Sequence, residues 1–193
     1  MPTGLSPLFV LDLLLRGGDA LLLIMVGVVL ARDFGKVAAA RLGAFFALGS
    51  AAYALCSTPA IHLVFGLWTT PLTILASGNN LVLFLFARAL FDDRFKPRPW
   101  HAGLWLLVVG LDMASFVLPP GLGRPLGAAM PVQALAFAVA AGAQALSSWR
   151  EDLVERRRRL RLFVVAAAAG HTAATALFRL AGQPIGDPAP HLA

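Results

Sequence analysis

A chain of 193 residues that is 59% hydrophobic and 13% charged, with a mean hydropathy of +0.77, has too few polar residues to clothe a core in water, where a soluble domain carries about 25% charged residues. The bilayer tolerates such a surface, which excludes an ordinary soluble enzyme, a disulfide-rich secreted module and a disordered chain; the single cysteine, Cys56, makes neither an internal disulfide nor a cysteine-based metal site. The net charge of +6 and the pI near 11.0 fall in three short clusters between apolar stretches, a pattern of membrane topology rather than of a nucleic-acid face.

About 20 mostly apolar residues cross a bilayer as one helix. Six stretches qualify, roughly 8–31, 37–57, 62–90, 100–118, 126–148 and 160–181. The expected fold is thus all-α: a single polytopic membrane domain of six spans, followed by a disordered tail over 182–193. The leader MPTGLSP has no positive charge, and Arg16, Gly17, Gly18 and Asp19 interrupt the first apolar run, so this stretch reads as an uncleaved helix and not as a signal peptide. Thr58-Pro59 ends the second span. The third is long, and is expected to tilt or to kink at Pro71. Lys96-Pro97-Arg98-Pro99 precedes the fourth and Pro119-Pro120-Gly121 closes it. Small residues recur four apart in the fifth (Ala134, Ala138, Gly142) and the sixth (Ala166, Gly170, Ala174). In lipid, close backbone approach holds helices together, so these rows predict an antiparallel hairpin of spans five and six.

Lys and Arg orient the bundle. Arg32, Lys36 and Arg41 lie between spans one and two; Arg88, Arg94, Lys96 and Arg98 between three and four; Arg150, Arg156, Arg157, Arg158, Arg159 and Arg161 between five and six. These are thirteen of the sixteen basic residues, and Arg16, Arg124 and Arg179 are the others. The positive-inside rule puts these three connections in the cytoplasm and both termini outside. The basic connections read first as topological anchors attracted to membrane lipids with anionic heads, and second as a docking surface for an acidic cytoplasmic protein partner. Glu151, Glu155 and Arg159 recur at i, i+4 spacing, so 149–161 is expected to extend the fifth helix into the cytoplasm.

Ionisable groups inside spans are costly and usually face the bundle interior. Asp12, Arg16 and Asp19 share a face of the first span, and Arg16 can pair with either acid. Asn79 and Asn80 lie near the middle of the third span, Asp112 in the outer half of the fourth and Gln133 in the outer third of the fifth. His171 is near the middle of the sixth, with Arg179 two turns further out. The topology brings most of these groups to the middle or outer half, which predicts an outward-opening polar cavity with Asp112 and His171 at its floor, fit for a small-molecule ligand. The plainer alternative is a buried network of hydrogen bonds and ion pairs that only sets helix register.

No catalytic constellation accompanies these groups. The histidines His62, His101, His171 and His191 fall at unmatched depths, which does not suit a haem held between helices. HExxH and Gly-rich phosphate loops are absent. Ser77-Gly78-Asn79-Asn80 superficially looks like a nucleophile turn but reads better as a polar helix-packing patch. No enzyme activity, metal or cofactor is expected. An inverted repeat or paired broken helices, which would speak for transport, are not visible in the sequence.

The segments FARALFDDRF (86–95) and WREDLVERRRRLR (149–161), with the order of spans, make the chain resemble the N-terminal membrane region of membrane-bound AraC-type transcriptional regulators. The resemblance implies a bacterial inner-membrane bundle, with about seven helices preceding a cytoplasmic helix-turn-helix domain. This chain ends after span six with AGQPIGDPAPHLA, without a seventh span or a helix-turn-helix pair, so the expectation is either a truncated sensor region or a stand-alone relative that binds no nucleic acid by itself. The expected function is a non-enzymatic sensory or signal-transmitting membrane module. The alternative is a small transporter or channel that uses the same polar cavity.

Overall fold

The computed structural model describes residues 7–58, 61, 65–92, 94–147 and 155–181, with side chains in the last helix described from Arg161 onward. The described residues are 90% helix, with no strand among them. The elements are α1 (Pro7–Phe34), α2 (Ala38–Cys56), a 3-10 turn (Gly66–Thr69), α3 (Thr70–Ser77), α4 (Asn79–Phe91), α5 (Pro99–Val117), α6 (Pro120–Ser147) and α7 (Glu155–Leu180). Taking Gly66–Phe91 as one interrupted span, six helical segments are long and apolar enough to cross a membrane, and they coincide closely with the six stretches expected from the sequence.

The short connections force antiparallel neighbours. Gly27 of α1 faces Ala44 and Leu48 of α2, while Arg16, eleven residues earlier, meets Ser57 just beyond α2. Gly43 of α2 lies against Phe86, and Gly49 against Asn79. α1 packs on α2, α2 on the third span, α4 on α6 and α7, and α6 on α7. α5 leans on α3 and α6 but scarcely on α4, so the third and fourth spans part toward their basic ends. Small residues permit the close seams: Gly43, Ala44, Ala47, Ala51 and Ala54 form the buried face of α2. The tightest core gathers Leu83 and Ala87 of α4, Ala138, Ala141 and Ala145 of α6, and Val165 and Ala169 of α7. Only 11% of the apolar window of α1 is buried, so this helix turns most of its surface outward, as hydrocarbon allows and water would not.

Four local expectations need correction. Pro71 does not kink a helix: it is the second residue of α3, where its missing N–H belongs to the unpaired first turn. The interruption falls at Gly78 instead. Pro119-Pro120-Gly121 closes span four as expected, but span five begins well before residue 126. Pro120 opens α6 directly, and Gly123 tucks beneath Ser115, where an added Cβ would come within 2.7 Å of its carbonyl oxygen. Residues 155–161 continue the sixth span backward, not the fifth forward; 148–154 lie outside the described residues. The α6–α7 hairpin forms, and Ala134 and Ala138 face its seam, but Ala166, Gly170 and Ala174 point outward. The buried row on α7 is Val165, Ala169 and Ala176, one position out of phase with the expected one.

Candidate functional site: a polar seam at the break in the third span

The helix ladder of the third span is weakest at Gly78. This residue has φ −81° and ψ −2°, and the next bond across it, from the Val82 N–H to the Gly78 carbonyl, is stretched to 3.4 Å. Glycine is required there. The Trp105 indole of α5 lies against the backbone, and a Cβ on Gly78 would come within 2.0 Å of its Nε1. Polar side chains flank the break on both sides.

On one side, Ser77 Oγ hydrogen-bonds the Asp112 carboxylate of α5 and also reaches the Thr73 carbonyl at 2.8 Å. On the other, Asn79 bonds Ser50 Oγ of α2 at 3.0 Å. Both ends of the Asn79 amide are satisfied when Nδ2 donates to the Phe46 carbonyl (3.1 Å) and Oδ1 accepts from the Ser50 hydroxyl and backbone N–H (3.0 and 3.2 Å). The amide then brackets one main-chain hydrogen bond of α2. Such an approach needs a bare backbone. Gly49 provides it, since a Cβ there would stand 2.2 Å from the end of the Asn79 amide that donates to Phe46. Ser50, Asn79 and Asp112 each lie 12 or 13 residues from the basic end of their helices, about 18–20 Å at the α-helical rise. A side chain at that depth has no water to fall back on.

The nine expected cavity residues do not form one cavity. Asn79 and Asp112 belong to the seam, with Asn80 half-buried beside it. Gln133 is half-buried on α6, and its Nε2 is buried with no partner in the structure. Asp12 and Arg16 form an ion pair at 2.8 Å on α1, and Arg16 also reaches Ser57, so this pair ties α1 to the end of α2 away from the basic connections, apart from the seam. Asp19, His171 and Arg179 are exposed. His171 sits on the outward face of α7, because the buried phase of that helix is Val165, Ala169 and Ala176. It is therefore not a floor for Asp112. Among the described residues no three His, Cys, Asp or Glu side chains converge as metal ligands.

Sequence reasoning missed Ser50, Trp105 and Gly49 as members of the seam, and Ser57 as the partner of Arg16; it did single out Gly78, within the patch Ser77-Gly78-Asn79-Asn80. A signal was present for the first: Gly49-Ser50 interrupts an otherwise Ala-rich face at the depth of Asn79. Trp105 carried none, as its indole is orphaned, with Nε1 buried and unpaired.

A second polar feature lies at the basic end, where α4 and α5 part. A cavity of about 410 Å³ opens there, with Arg88, Arg94, Lys96, Arg98, Asp92 and His101 among its lining. No protein-family model, curated protein or solved structure matches this chain. What the fold defines is a class: an all-helical protein with the six apolar helices of a multi-pass membrane protein and a polar seam across its interrupted third span.

Proposed function

We propose that the protein is a sensory or signal-transmitting module of the bacterial inner membrane, non-enzymatic, with both termini outside and its three basic connections in the cytoplasm, resembling the membrane region of AraC-type regulators. The observation that carries this reading is the seam at Gly78. Two interhelical hydrogen bonds, Asn79–Ser50 and Ser77–Asp112, join α2 and α5 through one weak point in the helix between them. A stimulus that favours one arrangement of the break shifts the population of the whole bundle, provided it interacts differently with the two arrangements. The change would be read out through the cytoplasmic Arg156, Arg157, Arg158 and Arg159 by a protein partner.

The test is deletion of the gene in its host, followed by complementation. A sensor gives a small, defined set of transcripts that changes on deletion and returns with the wild-type chain. That set does not return with a variant in which Arg156–Arg159 are all replaced by Gln, although the variant still reaches the membrane. An unchanged transcript profile on deletion refutes the reading. A DNA-binding reading frame beside the gene would strengthen it.

One observation favours a second reading. A discontinuous helix at mid-membrane is how transporters build substrate sites, and the third span is discontinuous at Gly78. A small transporter or channel would show substrate flux in proteoliposomes that falls with Asp112→Asn.

A further inference from the structure

The cavity between the basic ends of α4 and α5 is built, not merely charged. Arg88 comes from the last turn of α4, and Arg94, Lys96 and Arg98 from the connection. Its aromatic members lock one another. The Arg88 guanidinium lies 5.1 Å from the centre of the Phe95 ring, Phe95 meets His101 edge-on at 5.5 Å, and His101 stacks on Trp100 at 3.8 Å. His101 is only 6% exposed. Its Nδ1 accepts the backbone N–H of Arg98 at 2.8 Å, the reciprocal half of a capping box at the start of α5. In the tautomer where Nδ1 accepts, the ring's proton is on Nε2; the same Nδ1 lies 3.1 Å from the Arg98 carbonyl, to which it would donate in the other.

The charges are unspent. Among the described residues Asp92 is the one carboxylate lining the cavity, and it accepts the Arg94 backbone N–H at 2.9 Å. Among the described residues no carboxylate lies within ion-pair distance of Arg88, Arg94, Lys96 or Arg98; Asp93 lies outside them. Four cations facing one acid among the described residues, with the imidazole of His101 and the positive end of a 19-residue helix, fit a compact oxyanion with several acceptor oxygens. The volume is within the ~300–1,000 Å³ of small-ligand sites. Position selects the carrier. The cavity lies where two apolar helices end, and Trp100, 57% exposed in the first turn of α5, belongs at headgroup depth.

We propose that this cavity binds a phosphate group, carried by the headgroup of an anionic phospholipid. The site stands independently of whether the protein senses or transports. Its counterpart in a merely charged surface would be diffuse attraction, which follows net charge and not position.

The test uses the full chain in detergent, titrated with phosphatidylglycerol, phosphatidylcholine or inorganic phosphate at fixed ionic strength, and read by thermal midpoint and native mass spectrometry. Phosphatidylglycerol should raise the midpoint and remain bound where phosphatidylcholine does not. Arg94→Gln with Arg98→Gln should weaken the apparent affinity roughly 100-fold, about tenfold for each charge-assisted hydrogen bond removed. Both residues are exposed, so the fold should survive. Lys36→Gln with Arg41→Gln removes equal charge from another basic connection and should change the affinity less than about threefold. Equal losses in the two double variants overturn the site, as does phosphatidylcholine acting as well as phosphatidylglycerol. Inorganic phosphate reproducing the shift, with neither lipid acting, supports the phosphate chemistry and assigns it a soluble source. No response to any of the three overturns the proposal.

Discussion

Gly49→Ala tests the seam at its tightest point. The added methyl would stand 2.2 Å from Asn79 Nδ2 and 2.6 Å from Cγ, with Asn79 Cβ at 3.1 Å. Either α2 and α4 separate or the Asn79 amide leaves Ser50. Overpacking of this kind costs about 1–3 kcal/mol, and the interhelical hydrogen bond adds ~0.6 kcal/mol, with an upper value near 1.7 in membranes. The expected loss is therefore about 2–4 kcal/mol, measured by reversible unfolding in mixed micelles. Asn79→Ala alone should lose about 1–2 kcal/mol, for the bond and the vacated volume. The double variant is diagnostic. With the amide gone, the new methyl meets only the residual Cβ, so the two substitutions should couple by at least about 1 kcal/mol in the direction of rescue. Additive losses, or a Gly49→Ala protein as stable as wild type, would refute the close approach of Asn79 to the α2 backbone.

Three further substitutions probe neighbouring claims in the same unfolding assay. Gly78→Ala places a methyl inside the Trp105 indole and should cost about 1–3 kcal/mol, most of it recovered by adding Trp105→Leu. Gly170→Leu should change stability by less than about 0.5 kcal/mol, because nothing lies within 4 Å of the added Cβ; Ala169→Leu, one residue away in the packed core, should lose about 1–3 kcal/mol. Asp112→Asn keeps an acceptor for Ser77 and should stay within about 1 kcal/mol of wild type, whereas Asp112→Leu leaves Ser77 without that partner and should cost ~1–2 kcal/mol. For the proposed orientation, Cys substitutions at 36, 96 and 157 should all be shielded from a membrane-impermeant thiol reagent in intact cells, and labelling of one but not the others would overturn it.

The spans are legible because length and hydropathy are one-dimensional properties, and the bilayer imposes them directly on the chain. Which face of each span packs is a matter of phase, and Ala-rich helices hide phase. In α7, Ala166, Ala167, Ala168 and Ala169 offer small residues all round, so the four-residue row can be drawn through Ala166 as well as through Val165 and Ala169. The decision comes from the partner, where Leu83 and Ala87 of α4 and Ala141 of α6 meet that face. The polar residues fail as a single cavity for a related reason. Depth can be counted along a sequence, but azimuth cannot. Asp112 and His171 count to similar depth, yet one turns toward Ser77 and the other outward. The patch around Ser77-Gly78-Asn79-Asn80 is legible because its spacing puts polar groups on either side of a helix-breaking glycine, a local feature needing no knowledge of partners.

The energies at the seam bear on whether it could switch at all. Inside a membrane an interhelical hydrogen bond is worth ~0.6 kcal/mol on average and about 1.7 at most. Asn79–Ser50 and Ser77–Asp112 together therefore add about 1–3 kcal/mol to the packing that holds the third span to α2 and α5. Coupling free energies between allosteric sites span the same ~1–3 kcal/mol. The packed core of α4, α6 and α7 is a different regime, since vacating one of its large side chains costs about 2–5 kcal/mol. Leu83 and Val165 there are fully buried. The third span is held to α2 along both α3 and α4, whereas it meets α5 mainly through α3, so its junction with α5 is the weaker one. A rearrangement at that junction can change how α5 meets the third span while α6 and α7 stay packed. α5 is also the helix whose first turn closes the cationic cavity through Trp100 and His101. A shift of α5 at Asp112 would carry along this helix of 19 residues to its basic end, where Trp100 and His101 line the cavity.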